Sequence, residues 1–113
     1  MEILFERSFS KKPKVSFVLL DWSCRESFHI FHYLNQQNIP RDNYEIIWIE
    51  YYNRRSQEIR EQLEDCARQS KPPMLDQWIV MDMPDTLYYH KHLMYNIGIV
   101  LSKGEIVTIC DSR

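Results

Sequence analysis

The sequence predicts an α/β domain of three layers, α/β/α, around a parallel four-stranded sheet built in the order β-α-β-α-β-α-β. Three observations carry that expectation. Short apolar runs recur at 15–20 (VSFVLL), 44–50 (YEIIWIE), 77–83 (QWIVMDM) and 106–110 (IVTIC). Most are continuous rather than alternating, the pattern of strands covered on both faces. Segments of helical period separate them, and strands alternating with helices imply right-handed crossovers and helices on both sides of the sheet.

The elements follow in order. Residues 1–14 show no clean period, and Lys11, Lys12 and Lys14 around Pro13 read as a solvated lead-in to a single domain over 15–113. After the first strand come Asp21 and Trp22, then Ser23-x-x-Glu26, a capping box that starts a helix over about 24–37. Cys24, Phe28, Phe31 and Asn35 share a face, with Leu34 beside them, and Asn38 and Pro40 to Asn43 end it. The second strand closes on Glu50, and Tyr51 to Arg55 reads as a polar, aromatic loop. A second helix over 56–69 sets Ile59, Leu63 and Cys66 at helical spacing, with Glu64 and Arg68 as a favourable four-residue pair on its outer side. Pro72 and Pro73 mark the loop to the third strand, and Pro84 and Asp85 turn the chain out of it.

A third helix is expected over 90–103, with Leu93, Ile97, Val100 and Leu101 as its apolar stripe. Gly98 inside it costs about 1 kcal/mol against alanine, so its place implies a close approach to the sheet. Gly104 is expected to supply the left-handed turn that ends this helix, with Lys103 near the helix's negative end. The last strand is expected to be buried and to deliver Asp111 to the carboxyl edge, where open α/β sheets bind ligands.

Composition removes several function classes. The 113 residues are 44% hydrophobic and 27% charged, as in an ordinary globular domain. A net charge of -2 gives no electrostatic case for nucleic acid or an anionic membrane surface. No apolar run approaches the roughly 20 residues of a membrane span, and the first residues lack the pattern of a secretory signal. Cys24, Cys66 and Cys110 are scattered and odd in number, which suggests a reducing compartment and a cytoplasmic protein. Gly98 and Gly104 are the only glycines, which excludes a glycine-rich phosphate loop. The pairs His29/His32 and His90/His92 lack the further ligands of a zinc site.

The runs VSFVLLDWSCRESF, YEIIWIE and YNIGIVLSKGEIVTICDS, in that order and spacing, resemble the first half of a family 2 glycosyltransferase with the GT-A fold, a Rossmann-like half-domain. The resemblance spans 15–113, and its most specific part is the order Asn96, Gly98, Gly104, Glu105, Asp111. It implies a nucleotide-sugar site. Trp22 falls where the family's aromatic lies against the base, and Leu20 where the backbone touches it. Glu50 falls on the first of two paired acids near the uridine, with Tyr51 in the place of the second. Asp111 falls on the first acid of an Asp-x-Asp that holds the ribose and a divalent metal, Mn²⁺ or Mg²⁺. Arg113 stands where the last metal-binding aspartate is expected, so the metal site is half present.

The activity this implies is transfer of a sugar from a nucleoside diphosphate, a UDP-sugar foremost, to an acceptor hydroxyl, with metal and cations stabilising the leaving diphosphate. The resemblance also implies a further half carrying the acceptor site. The chain is therefore expected to be a donor-binding fragment, inactive alone, with no residue assigned as catalytic base.

The residues themselves leave alternatives open. Asp111 is a ligand to metal or ribose, or a strand-end acid in a turn. Glu50 accepts hydrogen bonds from a base or ribose, or pairs with Arg54 or Arg55. Trp22 stacks on a base, or anchors the first helix. A rival function is a non-catalytic, degenerate module that binds a nucleotide or a protein, favoured by Tyr51 and Arg113. A doubly wound domain of the flavodoxin type is disfavoured by the lack of a Ser/Thr/Gly loop after the first strand. The strand ending at Cys110 is expected to leave an open sheet edge and to promote self-association.

Overall fold

The computed structural model describes residues 1–9, 11–20, 40–52, 57–84, 86 and 91–110. The helix expected over 24–37, and with it Trp22, Asp111 and Arg113, lies outside them. Among the described residues five strands form one sheet: β1 (Glu2–Glu6), β2 (Val15–Leu20), β3 (Tyr44–Glu50), β4 (Gln77–Val80) and β5 (Ile106–Cys110). Two helices accompany them, α1 (Gln57–Arg68) and α2 (Lys91–Leu101). The α/β class is as expected. The sheet is not the expected parallel four-stranded one: it is mixed, in the order β1-β4-β3-β2-β5. β4, β3, β2 and β5 run parallel, and β1 lies antiparallel on the outer side of β4.

β1 comes from the segment that the sequence suggested was a lead-in. The register against β4 shifts between Ile3 and Phe5, so Leu4 is an extra residue. Such a bulge breaks the alternation of a strand. Leu4 and Phe5 accordingly both pack on the same core cluster, and the period that would have announced a strand is lost.

β3 is the centre of the domain and is buried at every position, Tyr44 to Glu50. Its alternate side chains face opposite ways. Tyr44, Ile46 and Trp48 join Leu19, Trp78, Val80 and the α1 residues Ile59 and Leu63 in one cluster. Ile47 and Ile49 join Val18, Leu20, Tyr51, Ile79 and the α2 residues Met94 and Tyr95 in the other. Among the described residues one helix thus covers each face, which is why β3 is apolar apart from two buried acids, Glu45 and Glu50.

α1 ends where the sequence suggested, by an unexpected device. Ser70 N–H bonds to Ala67 O at 3.3 Å and Lys71 N–H to Cys66 O at 2.9 Å, with Ser70 at φ 55°. This is the paired-bond cap normally built on glycine. Arg68 pairs with Asp65, one residue from the expected Glu64.

α2 also differs from expectation. Leu93 is 40% and Val100 80% exposed, while Met94 and Tyr95 are buried. Gly98 sets the rotation. A Cβ there would lie 2.5 Å from Val18 Cγ1 and 3.2 Å from Ile49 Cδ1, so the helix rests on its glycine. Gly104 does not adopt a left-handed conformation. Its role is also proximity, since a Cβ would meet Ser16 N at 2.8 Å and Val15 C at 2.9 Å.

A buried polar clasp fixes this end of α2 to the amino edge of the sheet. Glu45 is fully buried and accepts from Ser16 Oγ at 2.7 Å, Gln77 Nε2 at 3.0 Å and Lys103 N at 2.8 Å. Gln77 Nε2 also donates to Leu101 O at 2.9 Å, and Gly104 N to Ser16 Oγ at 2.9 Å. The Gln77 bond to Leu101 O takes up a carbonyl that the helix end leaves over, and the bonds from Lys103 N and Gly104 N hold the amides that follow it.

β5 is an edge strand rather than the expected buried one. Among the described residues it pairs with β2 alone, and Ile106 and Ile109 are 62% and 43% exposed. No helix among the described residues is long and apolar enough to cross a membrane.

Candidate functional site

The strand order locates a candidate site. From β2 the chain steps outward to β3 and β4, then returns to the other side of β2 for β5. The direction of winding reverses between β2 and β5. In open α/β sheets ligands bind outside the carboxyl ends of the strands at such a point. Leu20 ends β2, and Leu19 stands opposite Cys110 at the end of β5. Trp22 follows two residues after Leu20, and Asp111 follows Cys110 directly. Trp22 and Asp111 themselves lie outside the described residues.

Leu20 is fully buried, packs with the α2 cluster and pairs with Ile49 of β3. Its side chain belongs to the core. Glu50 is also fully buried, at the carboxyl end of β3, and accepts from Trp48 Nε1 at 3.2 Å. Its backbone oxygen receives Met81 N–H at 2.8 Å. Arg54 and Arg55, its alternative partners, lie outside the described residues. Tyr51 is 1% exposed, in the core cluster beneath α2, and meets the Tyr52 ring edge-on at a centroid distance of 4.9 Å.

Next to these residues the third expected strand stops early. β4 ends at Val80, and Asp82 takes a left-handed conformation at φ 57°. Pairing continues irregularly, with Met83 N–H on Tyr51 O at 3.0 Å and Asp82 N–H on Tyr52 O at 3.3 Å. A left-handed non-glycine residue at a strand end costs of order 1 kcal/mol and aspartate tolerates it better than most. The strand expected from the sequence runs through Met83 and passes over Asp82, the one charged residue in QWIVMDM.

Tyr95 was missed as well. The inner face of α2 was read from the apolar stripe, and Tyr95 falls outside that stripe. The signal lay in Gly98: residues three and four before a glycine seated on a sheet share its face. Those residues are Tyr95 and Met94.

Among the described residues a dense charge cluster lies at the opposite, amino edge. Asp76 is fully buried and takes both Arg41 Nη2 bonds at 2.9 Å, Arg7 Nη1 at 3.2 Å and Ile46 N–H at 2.7 Å. Burial raises its carboxyl above the ordinary range, opposed first by Arg41, then by the Ile46 N–H and by Arg7. Arg41 also lies 4.7 Å over the Tyr44 ring, and burial raises the Tyr44 phenol. Arg41 donates further to Pro73 O and Tyr44 O, and Arg7 to Asp42, so the cluster ties the 41–43 turn and the residue after β1 to the start of β4.

Among the described residues no group of three or more His, Cys, Asp or Glu is placed to hold a metal ion. The metal ligand expected from the sequence, Asp111, is not one of them. No protein-family model, curated protein or solved structure matches the chain.

Proposed function

We propose that this chain is the donor-binding half of a nucleotide-sugar-dependent glycosyltransferase of family 2 type, with the Rossmann-like half of a GT-A domain as its fold. The observation that carries the reading is the parallel order β4-β3-β2-β5, which puts the winding reversal between the two strands that lead into Trp22 and Asp111. On this reading the base lies against Trp22 and the backbone at Leu20. Glu50 and Tyr51 border the nucleoside. Asp111 holds the ribose and a Mn²⁺ or Mg²⁺ ion that the diphosphate helps to ligate. The protein is cytoplasmic, and sugar transfer to an acceptor hydroxyl requires a further acceptor-binding half.

A second reading, a degenerate module that binds nucleotide or protein without catalysis, is favoured by one observation. Tyr51, in the place of an expected acid, is a core residue at 1% exposure.

The test is an amide NMR titration of the labelled chain with UDP, GDP, CDP and ADP, with and without Mn²⁺. Shifts for one nucleotide at Leu20, Trp22 and Glu50, with Mn²⁺ broadening centred on Asp111, are expected. Silence for all four nucleotides refutes the donor-site reading.

A further inference from the structure

Tyr95 carries a hydroxyl that no described residue pairs with. The residue is 8% exposed, and among the described residues its buried oxygen has no hydrogen-bond partner. Buried polar groups are nearly always paired, because an orphan forfeits its bonds to water and gains nothing in return. Phenylalanine would fill the same space without that loss.

The position of the hydroxyl follows from how α2 is held. Its last turn is clasped at the amino edge through Leu101 O and Lys103 N, so its first turn stands at the carboxyl edge. Gly98 rests on Val18 and on Ile49, the next-to-last residue of β3. Tyr95 is three residues, about 4.5 Å, nearer that edge. Side chains of a helix also lean toward its amino end. The ring is thus carried to the ends of β2 and β3, in the cluster that holds Leu20, Tyr51 and Met81. The amino end of α2 lies at the same edge, and its field favours negative charge.

We propose that the Tyr95 hydroxyl is a ligand-reading group, donating a hydrogen bond to an acceptor oxygen of a nucleotide bound at the carboxyl edge. This rests on the nucleotide reading above and adds to it a residue outside the expected set.

The test compares the full chain with Tyr95→Phe in two measurements. One is Kd for each of UDP, GDP, CDP and ADP in Mn²⁺; the other is urea unfolding without ligand. The best-bound nucleotide is expected to bind about tenfold more weakly to the variant, the usual scale for one lost hydrogen bond. Unliganded stability is expected to be equal or higher, since no contact within the fold is removed. Equal affinity in both proteins overturns the Tyr95 contact and leaves the nucleotide reading standing. Lower unliganded stability in the variant also overturns it, by revealing a structural partner. Absence of binding by the wild-type chain overturns the nucleotide reading, and the contact with it.

Discussion

The Ser16 hydroxyl donates to the buried carboxylate of Glu45 at 2.7 Å, and the same oxygen receives Lys103 N–H at 2.8 Å. Strand β2, strand β3 and the turn after α2 therefore meet on one side chain. The arrangement matters for the carboxyl edge as well, because clasping one end of α2 sets the height of Tyr95 at the other.

The clasp predicts the effect of Glu45→Gln. Both carboxylate oxygens face donors, Oε1 toward Ser16 and Lys103, Oε2 toward Gln77. A glutamine must set its amide nitrogen against one of those donors. Urea unfolding should show a loss of about 2–3 kcal/mol, the scale for disrupting buried bonds to a charged acceptor. A change within about 0.5 kcal/mol, the range of an ordinary surface substitution, would mean that the network is not shielded from water.

Gly98→Ala tests how α2 is seated. Helix propensity alone favours alanine by about 1 kcal/mol. The added methyl, however, would meet Val18 Cγ1 at 2.5 Å and Cγ2 at 3.0 Å. Overpacking of this kind costs about 1–3 kcal/mol, so a net destabilisation is expected. Val18→Ala in the same chain should recover part of it, and a double-mutant cycle reads the coupling directly. Strict additivity would count against the contact.

Ser70→Gly should do the opposite. Ser70 holds the left-handed cap of α1 at φ 55°, a conformation that glycine enters without steric cost. A gain of about 0.5–1 kcal/mol is expected from urea unfolding, with the cap bonds at Ser70 and Lys71 retained. A loss would mean that the serine side chain contributes more than its backbone strain subtracts.

These elements also show how far the sequence could be read. The bounds of β2 and β3 were legible because a strand covered on both faces needs a mostly apolar run; β5 was legible as an apolar run with polar borders, although it lies exposed at the edge. β1 was not legible, because the bulge at Leu4 removes its alternation. Gly98 was read correctly as a close approach; of the stripe Leu93, Ile97, Val100 and Leu101, Ile97 and Leu101 do pack on the core, but Leu93 and Val100 are exposed and Met94 and Tyr95 take the buried places. Apolar character alone does not say which side of a mostly apolar helix faces inward. At the carboxyl edge the strand was carried through to Met83, across the left-handed Asp82 that breaks it. Leu20, Glu50 and Tyr51 were placed at strand ends as expected, but their burial depends on α1 and α2, which a linear pattern does not display.

Asp76 predicts a pH dependence with a definite sign. Burial raises its carboxyl above the ordinary value of 3.8, the arginines and the Ile46 N–H opposing. Between 3.8 and the raised value the folded chain therefore binds more protons than the unfolded chain. Stability contributed by this group is fully present below 3.8 and is lost as pH rises through the folded value, then stays constant. Asp76→Asn removes the titration. The stability difference, wild type minus variant, should fall as pH rises from acid toward neutral and then level off. A difference that grows with pH would show that Arg41, Arg7 and the Ile46 N–H outweigh burial.

The two sheet edges predict different association behaviour. β1 carries Glu2 and Glu6 at its ends, and such charges discourage edge pairing. β5 has no charged residue, exposes Ile106 and Ile109, and has no strand on its outer side among the described residues. Leu93, Ile99 and Val100 of α2 add further exposed apolar surface. We therefore expect the chain to self-associate through β5. Sedimentation over a concentration series should show the mean mass rising, and Thr108→Lys, a charge on an exposed position of β5, should suppress the rise. A wild-type chain that stays monomeric at high concentration removes β5 as a self-pairing edge. Association that Thr108→Lys leaves unchanged moves it to another surface.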